Sequence, residues 1–98
     1  MTFYGPCSTY EMIKLQEMVD EASSKSIESV LNDKHNYGHI IDASLELQYA
    51  MIQMKTFCAR VNHNRKSPDD DAKILKTHSE ISSKIHEKYK KWDNLFNQ

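Results

Sequence analysis

The chain holds only two glycines and two prolines in 98 residues. With so few breakers, their placement decides where the chain can turn. No run of eighteen apolar residues occurs, so no membrane-spanning helix is expected. Residues 1–10 lack both the basic start and the apolar stretch of a signal peptide, which points to a cytoplasmic protein. The two cysteines, Cys7 and Cys58, are far apart and form no CxxC pair. Their spacing speaks against a zinc knuckle or a disulfide framework and implies reduced thiols. Charge of one sign is also lacking. Thirteen Lys and Arg face fourteen Asp and Glu, for a net charge of −1, so nucleic acid is an unlikely partner and any charge-driven contact must use a local patch.

The few breakers that are present carry the architecture. Gly5-Pro6, Gly38 and Pro68 cut the chain into a short arm and three long segments. At this length there is room for one hydrophobic core and not for two. The expectation is one helical domain over residues 1–98 with a short flexible N-terminal arm at 1–7. Lys, Asn, Ser and Ile are abundant, as in the AT-rich genomes of many phages and parasites.

The first segment opens on Ser8-Thr9-Tyr10-Glu11, a Ser-x-x-Glu capping box that starts a helix near Thr9. Met12, Leu15, Val19, Ala22, Ser26 and Val30 recur at helical spacing behind it. Ser23-Ser24-Lys25-Ser26 has poor helix propensity and is a candidate kink. In the second segment Ile40, Ser44, Leu47, Met51, Met54, Cys58 and Val61 alternate steps of four and three, a heptad seam. Ile41, Leu45, Ile52 and Ala59 add a second apolar strip. Together the apolar positions cover roughly two-thirds of the circumference, against about 100° for an ordinary surface helix, so this helix has more than one face to bury. The third segment begins at Ser67-Pro68-Asp69, with Ser as cap and Pro at the first helical position. Its stripe of Ile74, His78, Ile81, Ile85, Tyr89, Trp92 and Phe96 contains pairs eleven apart, the period of a nearly straight helix.

The predicted fold is therefore all-α, a three-helix antiparallel bundle with helices at about 9–35, 39–63 and 68–96, oligomeric through helix 2 along Ile41, Leu45 and Ile52. Short turns bring Cys7 to the end of the bundle that holds residues 62–66, and Lys34, Tyr37 and His39 to the end that holds Lys88, Lys91 and Trp92.

Candidate chemistry is sparse. His35 and His39 have i,i+4 spacing, yet they straddle a turn and have no third ligand nearby. His78 lies on the helix 3 stripe and reads as a boundary histidine with a satisfied hydrogen bond. Glu17 with Glu21 and Asp42 with Glu46 are acid pairs, but antiparallel pairing sets Glu21 level with Met51, so they fall about 15 Å out of register. No catalytic residue, metal site or cofactor is assigned. The remaining cluster is an anion site at Lys34, Tyr37, His39, Lys88 and Lys91, where the start of helix 2, basic side chains and a ring to stack on would suit a nucleotide or another phosphate-bearing ligand. The leading expectation is a non-enzymatic helical interaction module, a homo-oligomer that also binds and inhibits or regulates an unidentified protein partner. A phage-encoded inhibitor, and hence a viral protein, fits its size and composition. A phosphate-ligand binder is the alternative, and a metal-dependent nucleotide hydrolase a weaker one.

Overall fold

A computed structural model describes residues 7–32, 37–64 and 70–97, without the side chains of 62, 64, 70 and 71. Helix α1 is Thr9–Leu31, α2 Tyr37–Asn64 and α3 Asp70–Phe96. The start of α1 is set by its cap. Ser8 is extended (φ −66°, ψ 156°), and its Oγ accepts the Glu11 N–H at 3.3 Å. Its carbonyl takes the first helical bond, from Met12 at 3.1 Å.

Two boundaries differ from the sequence expectation. Helix α1 ends at Leu31 and not near residue 35, because Asn32 leaves helical geometry (φ −95°, ψ 9°) while donating its N–H to the Glu28 carbonyl at 2.9 Å. Helix α2 starts at Tyr37, so Gly38 lies inside its first turn and is not a breaker. Among the described residues, a Cβ placed there meets nothing within 4 Å beyond its chain neighbours and its own helix backbone. Lys34 and His35 fall outside the described residues, as do Ser67 and Pro68.

Helix α1 is unbroken through its serines. Ser23, Ser26 and Ser29 each donate a hydroxyl to the carbonyl four residues back, at 3.0, 2.7 and 3.1 Å. Each hydroxyl thus finds its acceptor within the helix, and no turn of α1 is lost to it.

Side-chain contacts fix the antiparallel register. Gln48 Nε2 donates to Ser23 Oγ at 2.6 Å, and Lys84 Nζ reaches Gln53 Oε1 at 3.5 Å. Central α2 packs on both neighbours, while α1 and α3 meet each other less extensively. The seam residues Ile40, Leu47, Met51, Met54 and Cys58 are buried against Leu15, Val19, Ile74, Ile85 and Trp92. Each large side chain so buried contributes about 1.5–3 kcal/mol. Trp92 is wholly enclosed, and its Nε1 donates to Ser26 Oγ at 2.7 Å. The indole also lies 5.1 Å from the Phe96 ring and 5.5 Å from the Tyr89 ring, centroid to centroid.

The cysteines overturn the expectation of reduced thiols. Cys7 and Cys58 form a disulfide, with Cα atoms 5.3 Å apart. The antiparallel register causes it: the residue just before the α1 cap returns to the level of the last turns of α2. Both cysteines are buried. The arm expected to be free through residue 7 is thus tied down at Cys7, and residues 1–6 lie outside the described set. The bundle is long, 52 × 22 × 15 Å, with a radius of gyration of 15.6 Å, against about 13 Å for a compact domain of this size.

Candidate interaction face on helix α2

At 100° per residue, the buried positions of α2 from Ile40 to Cys58 lie within about 60° of Leu47. Leu45, Tyr49, Ile52 and Thr56 fall on the opposite side, at steps of four, three and four. Leu45, Tyr49 and Ile52 are 55%, 64% and 58% exposed, a continuous apolar ridge on the solvent side of the central helix. Ile41, half-buried, flanks the ridge toward α1. Asp42 and Arg60 flank it toward α3, both exposed and both without an ion pair among the described residues. Single exposed apolar residues are ordinary; a contiguous row mid-helix is a candidate contact surface.

Two shallow grooves run between the ridge and α3, and Tyr49 lines both. One, of about 590 Å³, is bounded by Asp42, Leu45, Glu46, Ala50, Lys84 and Lys88. The other, of about 480 Å³, is bounded by Ile52, Gln53, Thr56, Phe57, Arg60 and Ile81. Tyr49 is a member of the face that sequence reasoning missed. The signal was present, since Tyr49 stands four residues after Leu45 and three before Ile52.

The residues of the expected anion site are placed differently. Tyr37 and His39 are exposed at the start of α2, and Lys34 lies outside the described residues. Lys88 and Lys91 both grip Glu46, at 3.3 and 3.1 Å. Glu46 lies about 10 Å along α2 from His39, so the two lysines are drawn away from the helix start and partly neutralised. Trp92, with no exposed surface, presents no face to a ligand.

The two lysines hold the Glu46 carboxyl below its ordinary range, first through the hydrogen bond from Lys91 and then through that from Lys88. A lowered folded value means that the clamp stabilises the fold above the ordinary carboxylate range and is lost as pH falls through the lowered value. All three side chains of the clamp keep a substantial part of their surface in solvent, so Glu46→Gln is expected to cost less than about 1 kcal/mol near neutrality. Urea titrations at neutral and acidic pH check this; a penalty as large in acid as at neutrality contradicts it.

The other titratable groups described lie apart from this clamp. Glu21 pairs with Lys25 at 2.8 Å and raises the pKa of that lysine, whose Nζ also lies 5.7 Å from the Phe96 ring centroid. Tyr89 is pushed up, mainly by burial and next by the Glu21 charge. His39 and His63 are exposed, while His86 Nδ1 lies 2.8 Å from the Ser82 carbonyl. His78 departs from expectation: it is buried, and its Nε2 has no hydrogen-bond partner among the described residues. Among the described residues, no three His, Cys, Asp or Glu side chains come together as metal ligands. None of the described helices is long and apolar enough to cross a membrane. No family model, curated protein or solved structure matches this chain.

Proposed function

We propose that this chain is a non-enzymatic helical interaction module that associates with copies of itself through the outer face of α2. The observation that supports this reading is the exposed row Leu45, Tyr49 and Ile52 on a helix whose opposite side already fills the core. The row is bracketed by one acid and one base, Asp42 and Arg60, so the face can complement itself. Binding and regulating a protein partner belongs to the same reading. The buried Cys7–Cys58 bond favours an oxidising environment over the cytoplasm that the sequence suggested.

Charge placed on the ridge separates assembly from folding. Leu45→Glu or Ile52→Glu is expected to lower the oligomer mass while circular dichroism keeps most of the helix signal. Leu47→Glu, fully buried in the wild type, is expected to unfold the chain. Ridge variants with undiminished oligomer mass contradict the assignment of this face.

A further inference from the structure

The shape and charge of the ridge go further, resting on the self-association just proposed. We propose that two copies pair α2 against α2 antiparallel, about a twofold axis near residue 51, with Asp42 of each copy facing Arg60 of the other.

The geometry follows from helix periodicity. Asp42 and Arg60 are eighteen residues apart, which is about five turns and 27 Å. They therefore lie on one line along the helix, at the two ends of the apolar ridge. A twofold axis perpendicular to α2 at the midpoint exchanges those ends. It lays the groove ending in Asp42 over the groove ending in Arg60, because the two grooves lie on either side of that level and share Tyr49. Tyr49 then meets Ile52 and Gln53 of the second copy, and Leu45 meets Thr56 and Phe57. A parallel pairing would instead oppose Asp42 to Asp42 and Arg60 to Arg60, like against like. Among the described residues neither charge has an ion-pair partner, so pairing across the axis breaks none of the ion pairs described.

Charge swapping tests the arrangement, read by sedimentation equilibrium at low and at high salt. Asp42→Arg and Arg60→Asp, each alone, turn two attractions per dimer into two repulsions. Each is expected to weaken dimerisation about tenfold or more at low salt. The double variant restores the attraction, as does an equimolar mixture of the two single variants, in which every facing pair is again opposite. Lys76→Glu on α3, away from the face, should change nothing. A wild-type dimer that Ile52→Glu dissociates but the reversals leave untouched overturns the antiparallel twofold and leaves the α2 face standing. A wild type that stays monomeric overturns both.

Discussion

Reducing the Cys7–Cys58 disulfide is expected to cost about 4 kcal/mol of stability, the loop-closure value for the 51-residue separation it spans. A domain of this size has a total of about 5–15 kcal/mol, so the loss is a large fraction of it. In melting temperature the expected fall is on the order of 20 °C. Cys7→Ser combined with Cys58→Ser should reproduce the effect without reductant. The bond encloses α1 and most of α2 but not α3. The α1–α2 hairpin is therefore cross-linked, while α3 docks through packing, hydrogen bonds and the Glu46 clamp. Thermal melts with and without a dithiol reductant read the difference. Equal midpoints would mean that the bond contributes nothing to the fold.

Trp92→Ala is expected to cost about 3–5 kcal/mol, because a fully buried indole leaves a cavity that the surrounding helices fill only in part. The same side chain carries a hydrogen bond that can be examined separately. Ser26 Oγ accepts from Trp92 Nε1 and donates to the Ala22 carbonyl, both at 2.7 Å. Ser26→Ala strands the indole N–H in the core and should cost about 1–3 kcal/mol. In a Trp92→Phe background the same Ser26→Ala change should cost less, since no buried donor is left waiting. Urea unfolding of the four proteins forms the cycle. A Trp92→Ala protein within about 1 kcal/mol of wild type would show that α3 is not anchored there.

The sequence carried the periodic parts of this fold. The Ser8 cap, the heptad seam of α2 and the eleven-residue stripe of α3 each rest on local geometry, and the structure places them as read. The register was legible too: turn lengths set Glu21 near Met51, and the Ser23–Gln48 bond confirms that level. What escaped depends on contacts between distant residues. Sequence places Cys7 at the end that holds residues 62–66 and Cys58 on the heptad seam of α2, but spacing gives no measure of how closely two side chains approach, so their bond is not legible in it. The basic end dispersed for a similar reason. Lysine side chains are long enough to choose among neighbours, and Lys88 and Lys91 chose Glu46. The excess apolar width of α2 was visible as Leu45 and Ile52. Tyr49 completes that face once the helix is docked and its outer side is defined.

Sedimentation equilibrium of the oxidised wild-type chain is the most direct test of self-association through α2. Over a concentration range reaching high micromolar, at near-physiological salt, the mass is expected to rise from the 11.5 kDa of one chain to twice that value. A mass that stays at 11.5 kDa across the whole range would contradict the account.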